Sequence, residues 1–481
     1  MNPLPLALAA MMTTLSASAA AADTALTIYR ADGDALFSPG SQPLDEGHAV
    51  VHEKRSITLA GGRHDLAVGG LPTLLDSEAV SIDFGGAARV LGQRVIAPGD
   101  AGLLGAHRGE RILVRGANNE TLAEGELIAV DGDGLGVRDA QGHISYLRNY
   151  VRVEFPDSAT LAGSSLQVAL EVARGGRQDA MLDYPTSGLG WRAAYAALLD
   201  DGGKSCRLRL DALASIANRS GRDYRGSTLK LIAGSPNFAS GGYSGPPRMM
   251  AMKVAAAPAP EALPEQSALG DYRSYVIDGA LDLPDASVTQ VPLYASRELD
   301  CTRRWLVESG GSWFPATPNW QDGGATTSAL AVTSQVLFTA PENLPAGRVR
   351  VLTRDRDGQR ELLGEARSAD TAKGREVTLN LGAAFGLRGE RERTTFSLDR
   401  AARTLDEGFR ITLENGSDSA RRFTLREHPN RWRAWQLASS SQPATRKTPD
   451  LLEFVVEVPA HGKATLDYLV RYTWTASDER S

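Results

Sequence analysis

The feature that most constrains this chain is an alternation of apolar and polar residues in short pieces, each closed by Gly, Pro, Asp or Asn. Ala25 to Tyr29, Ala49 to Leu59, His64 to Val68, Ala79 to Phe84 and Arg89 to Ile96 follow one another, with Gly-Gly pairs at 61–62, 69–70 and 85–86. A period of two sends successive side chains to opposite faces of an extended chain, and Gly-rich joints suit tight turns, so the pieces read as strands. Arg111 to Val114, Glu124 to Val130, Gly136 to Arg138 and Ile144 to Val153 continue the pattern, with Asp131-Gly132-Asp133-Gly134 and Gln141-Gly142 as hairpin connections. Later, Val336 to Phe338, Gly347 to Leu352, Glu376 to Leu381, Thr394 to Leu398, Phe409 to Glu414, Leu452 to Val458 and Lys463 to Tyr472 repeat at the spacing of a sandwich. The expected fold class is all-β, with several antiparallel β domains and a β-sandwich-like C-terminal region.

The middle of the chain is the most patterned stretch. After Leu182-Asp183-Tyr184 and a turn from Pro185 to Gly190, Trp191, Ala193 and Tyr195 fall on one face and Arg192, Ala194 and Ala196 on the other. Cys206 to Ile216, the Asn218-Arg219-Ser220-Gly221 turn and Leu229 to Ala233 follow, which predicts an antiparallel meander over Leu182 to Gly234. The order Gly188-Leu189-Gly190-Trp191-Arg192-Ala193, then Tyr195, then Asn218 before Ser220-Gly221 and Tyr224, resembles the bacterial DUF4139 family of exported proteins. Leu344-Pro345-Ala346-Gly347, Glu427-His428-Pro429-Asn430 and Val458-Pro459-Ala460-His461-Gly462 are similar to that family's C-terminal landmarks. The resemblance implies an exported protein and names no reaction. Strand alternation makes Trp191, Arg192, Tyr195 and Asn218 scaffold residues: large rings inward, Arg192 on the other face, and Asn218 bonding its own turn.

A length of 481 residues exceeds one comfortable core, so two or three domains are expected. The divisions read from the sequence are a signal peptide at 1–22, an N-terminal β domain at 23–158, a central β region at 159–327 and a β-sandwich at 328–481. The signal peptide rests on an apolar run around Leu6 to Met12 and small residues from Ser16 to Ala22 ahead of Asp23; the n-region has no Lys or Arg, and a flexible Ala-rich terminus is the alternative. The central region is interrupted by a linker at 238–266, where Gly, Ala and Pro leave little to bury and Met249, Met250 and Met252 stand alone. No later stretch is apolar enough to span a membrane. The net charge of −6, without a Lys/Arg block, argues against nucleic acid as a partner. The expected location is periplasmic or secreted. In such a compartment the two cysteines, Cys206 and Cys301, are expected to form a disulfide; two buried thiols are the alternative.

A search for chemistry finds no catalytic, cofactor-binding or metal-binding set. Of seven histidines, His48 and His52 have helical metal spacing, but on a strand their Cα atoms stand roughly 13 Å apart. Gly242-Tyr243-Ser244-Gly245 has the wrong spacing for a nucleophile elbow, and Gly203-Lys204-Ser205 lacks the first Gly of a phosphate loop. Asp355-Arg356-Asp357-Gly358 and Asp131 to Gly134 read as hairpin turns and not calcium loops. Aromatic residues remain: Trp305, Trp313, Phe314 and Trp320 lie in a Gly-, Ser- and Pro-rich segment, and Trp432 and Trp435 follow Asn430. Trp313, Trp320, Trp432 and Trp435 are candidate contacts for an envelope protein or glycan, because flat rings bury much area at small entropy cost; the alternative is that they plug sheet ends. The expected function is therefore an exported, non-catalytic binding or structural module, with an envelope hydrolase using dispersed carboxylates as the alternative.

Overall fold

The structure, a computed structural model, describes residues 24–96, 104, 108–131, 133–155, 163–200, 206–234, 236, 266–270, 272–311, 313–323 and 326–480. The expected signal peptide, the linker at 238–265 with its three methionines, and Gly203-Lys204-Ser205 lie outside these residues. What is described is nearly all strand, closed by a short 3-10 turn at Asp478–Arg480. No described helix is long and apolar enough to cross a membrane.

The chain forms two compact units, one of residues 1–191 with 215–290, the other of 192–214 with 291–481. In the first unit, Thr24–Tyr29 lies between Ala49–Leu59, antiparallel to it, and Tyr224–Ala233, parallel to it. Gly176–Thr186 extends this sheet beyond Ala49–Leu59, and Tyr272–Leu283 extends it beyond Tyr224–Ala233. A five-stranded antiparallel module spans Arg111–Arg115 to Arg152–Glu154 around Ile112, Val114, Leu127, Val130, Leu135 and Val137.

In the second unit two sheets enclose one core. Thr404–Asn415 pairs with Leu387–Asp399 and Gly462–Thr473 in one sheet, while Arg421–Glu427 pairs with Leu451–Val458 and, in parallel, with Ser287–Ser309 in the other. Leu451–Val458 and Gly462–Thr473 alternate buried and exposed positions, so their apolar side chains enter the shared interior with Phe409, Ile411, Phe423, Leu425 and Trp432. Each large apolar side chain buried there contributes about 1.5–3 kcal/mol. This is the expected sandwich.

Two expectations require correction. The stretch Leu182 to Gly234 is not one meander: Gly176–Thr186 and Tyr224–Ala233 belong to the seven-stranded sheet, Leu189–Asp200 and Cys206–Asn218 to the ten-stranded one. Alternation identified the strands, but long-range partners set their sheets. Gly188 permits the first crossing: its φ is +80°, and a Cβ there would lie 2.6 Å from the Arg219 carbonyl oxygen. Trp305, for its part, stands on the 23-residue strand Ser287–Ser309 and not in a loop.

Candidate functional site

The signature residues of the central stretch are built into the packing. Trp191 is fully buried; its indole N–H donates to the Ile232 carbonyl at 2.9 Å, and its ring meets the edge of Tyr275 at 5.8 Å. Tyr195, also buried, donates its hydroxyl to the Pro345 carbonyl at 2.8 Å, whereas Arg192 lies half-buried on the opposite face. A disulfide joins Cys206, which opens the strand Cys206–Asn218, to Cys301 on the neighbouring strand Ser287–Ser309, with Cα atoms 5.0 Å apart.

Asn218 is the hub of a corner. Its Nδ2 donates to the carbonyls of Arg222 and Leu283 at 2.7 and 2.9 Å, and its Oδ1 accepts from the Ser220 amide and hydroxyl. The second unit repeats the device. Asn415 Nδ2 donates to Ser419, Val458 and Pro459, and its Oδ1 accepts from the Ser417 amide and hydroxyl. In both corners the distant carbonyl precedes or belongs to a proline, and the third loop residue, Ala286 or His461, takes a positive φ.

Acidic side chains sunk in the cores are the obvious candidates for chemistry. Glu53, 7% exposed, receives both terminal nitrogens of Arg222 at 2.8 Å and the Nε of Arg55 at 2.8 Å. Arg222 also bonds the Tyr184 hydroxyl and lies over the Tyr224 ring. Burial alone would raise this carboxyl, and the bonds from Arg222 and Arg55 more than reverse that, holding it down at about 2. Glu427 accepts from Arg391 at 3.0 Å and from the Tyr468 hydroxyl at 2.5 Å, and Arg391 caps the Phe409 ring. Burial pushes the Glu427 carboxyl up, against the pull of Arg391. Glu407 is held by Arg431 at 2.8 Å. Each of these buried acids thus has a guanidinium as partner.

Two of the histidines are similarly occupied: His52 meets Asp183 at 2.5 Å, and His428 bridges Glu308 and the Asp450 carbonyl. Among the described residues no group of three His, Cys, Asp or Glu is placed to hold a metal. Asp355 accepts from the amides of Asp357 and Gln359, a turn-closing arrangement.

The four candidate contact tryptophans do not converge. Trp432 is buried in the sandwich core, with Arg433 over its ring. Trp320 stacks on Trp474 at 5.8 Å under Arg400. Trp313 is exposed. Trp435 is half-buried, donates its N–H to the Pro449 carbonyl at 2.7 Å, and forms one wall of a recess of about 440 Å³ completed by Arg433, Ala434, Lys447, Thr448 and Pro449. The Lys447 ammonium stands 5.5 Å from the Trp435 ring centroid, an arrangement of cation and π-face. The recess can recognise an anionic or ring-bearing group and carries no carboxylate for acid–base chemistry. No protein-family model matches the chain, and no curated protein matches it.

Proposed function

We propose that this is an exported, non-catalytic β-rich protein of the cell envelope, of the kind its likeness to the DUF4139 family implies, which binds another envelope component through the Trp435 recess. The observation that carries this reading is a division of labour. The buried carboxylates Glu53, Glu407 and Glu427 are taken up by guanidinium groups inside the cores, while the open recess offers an indole, an ammonium and a guanidinium. That set suits an acidic protein surface or an acidic glycan, with the ring supplying contact area and the cations orientation. The disulfide agrees with an oxidising compartment.

The test uses the purified mature chain and Trp435→Ala and Lys447→Gln variants. Binding to isolated cell-wall glycan and to solubilised envelope proteins is measured by sedimentation and cross-linking. The expected result is binding by the parent chain that both substitutions weaken while the melting temperature holds. Release of soluble sugar or peptide fragments from either material, unchanged in these variants, would instead establish an envelope hydrolase.

A further inference from the structure

A second recess lies elsewhere in the C-terminal unit, and its chemistry is more specific. The strand Ser287–Ser309 places Arg303 and Trp305 two residues apart on one face, and Arg421–Glu427 runs parallel beside it, with Trp305 opposite Phe423. Carrying that register back two residues sets Arg421 against Arg303. Both guanidinium groups gather at the Trp305 ring, at 4.5 Å for Arg421 and 5.7 Å for Arg303. Arg303 also donates to the Ser334 hydroxyl at 2.9 Å. Arg421 bonds only the Ser417 hydroxyl besides the ring and meets no carboxylate among the described residues. Arg391, Arg410, Arg426 and Arg471 of the same unit, by contrast, are each paired with an acid.

The wall facing the arginines is apolar. Leu363 and Leu381 line it, and Phe385, fully exposed at a turn next to Gly386, stands at its rim. Such a ring left in water forgoes the gain of burial. The recess encloses about 250 Å³, with no acidic residue in its lining. That is room for on the order of eight water-sized groups, below the range of sites for drug-sized ligands.

We infer that this recess binds a small monocarboxylate joined to an aromatic or branched apolar group, its carboxylate on Arg421 and Arg303 and its apolar part between Trp305 and Phe385. One anion can take charge-assisted hydrogen bonds from the two guanidinium groups, and the apolar body covers the exposed ring. This chemistry exists in a free aryl or branched-chain acid and in the C-terminus of a peptide ending in such a residue. The site does not depend on the Trp435 recess.

Isothermal titration of the full mature chain with 3-phenylpropionate, with acetyl-Gly-Phe carrying a free carboxylate, and with its C-terminal amide tests the assignment. At least one of the free carboxylates is expected to bind at sub-millimolar concentration, and the amide at least tenfold more weakly. Tighter binding of the peptide acid identifies a chain terminus as the ligand, and tighter binding of phenylpropionate a free acid. Arg421→Gln should lose at least tenfold. Phe385→Ser, which changes a side chain with no packing role, should lose at least threefold at unchanged melting temperature. Equal binding of acid and amide, no binding at millimolar concentration, or parent-like affinity in a folded Arg421→Gln or Phe385→Ser chain overturns the inference.

Discussion

Replacing Asn218 with alanine removes one carboxamide and disturbs four partners at once. The carbonyls of Arg222 and Leu283 lose their donor, and the Ser220 amide and hydroxyl lose their acceptor, in a corner where Asn218 is 1% exposed. The hydroxyl can rotate to another acceptor, but the two carbonyls and the amide are fixed in the backbone. A buried polar group left unmade costs about 1–3 kcal/mol. Some of that is recovered by relaxation, so a total of about 3–5 kcal/mol is expected, a large share of the roughly 5–15 kcal/mol that holds a domain together. Asn218→Asp separates the contributions. It keeps the acceptor for Ser220 but turns a second oxygen toward two carbonyls, so it should be worse than alanine at neutral pH and improve in acid, where a protonated carboxyl can donate once more. Urea unfolding followed by tryptophan fluorescence, at pH 7 and pH 4, gives both numbers. A loss below about 1 kcal/mol for alanine, or an aspartate variant as stable as the parent, would refute the corner as an energetic hub.

Three further outcomes are expected. Glu53, held down at about 2 in the fold against an ordinary value of 4.5, contributes stability that is complete above that ordinary value and is lost as pH falls toward 2; unfolding titrations should show about 3 kcal/mol of such dependence, absent in Glu53→Gln. Reducing the Cys206–Cys301 bridge, whose sequence separation is 95, should lower stability by on the order of 4–5 kcal/mol, and alkylation of the unfolded, unreduced protein should find no thiols. Trp191→Ala should cost about 3–5 kcal/mol by chemical denaturation, because it empties a buried site and removes one of the two donors to the Ile232 carbonyl, which keeps the Arg30 amide; a loss under about 1 kcal/mol would contradict its place in the core.

The all-β class, the C-terminal sandwich and the two faces of the strand through Trp191 are legible in the sequence because a period of two is a local property. The sheets to which strands belong are not. Thr24–Tyr29 pairs with Tyr224–Ala233 across about 200 positions, and nothing in either segment announces the other. The buried acids did leave a mark. Glu53 stands in phase with Ala49 and Val51, Glu407 with Leu405 and Phe409, and Glu427 with Phe423 and Leu425, each at an inward position of an alternating strand. A charge in that phase must find a partner or neutralise, and that rule could have located the three. Their arginines could be found this way only in part: Arg55 stands two residues from Glu53 on the same strand, whereas Arg222 is 169 residues away and arrives from a turn. The recess at Trp305 escaped for a related reason, since Arg421 reaches it through a parallel strand pairing.

The repeated asparagine corners also determine where a connection leaves this architecture. In each, a strand ends at the asparagine, a second strand departs, a third returns antiparallel to the second, and a proline-headed loop brings the chain back beside the first. The connection between the second and third strands therefore leaves and rejoins the same ladder at its far end, away from the knot that ties the four together. In one copy that connection spans 234–271 and includes the strand Gln266–Leu269; in the other it spans 428–450 and carries Trp432, Trp435 and Lys447. In the second copy the connection is not a free appendage, because it sends Trp432 into the sandwich core and Arg431 to the buried Glu407 while leaving Trp435 and Lys447 at the recess. The same corner that ties four strand ends together thus also sets the root from which the Trp435 recess is held out.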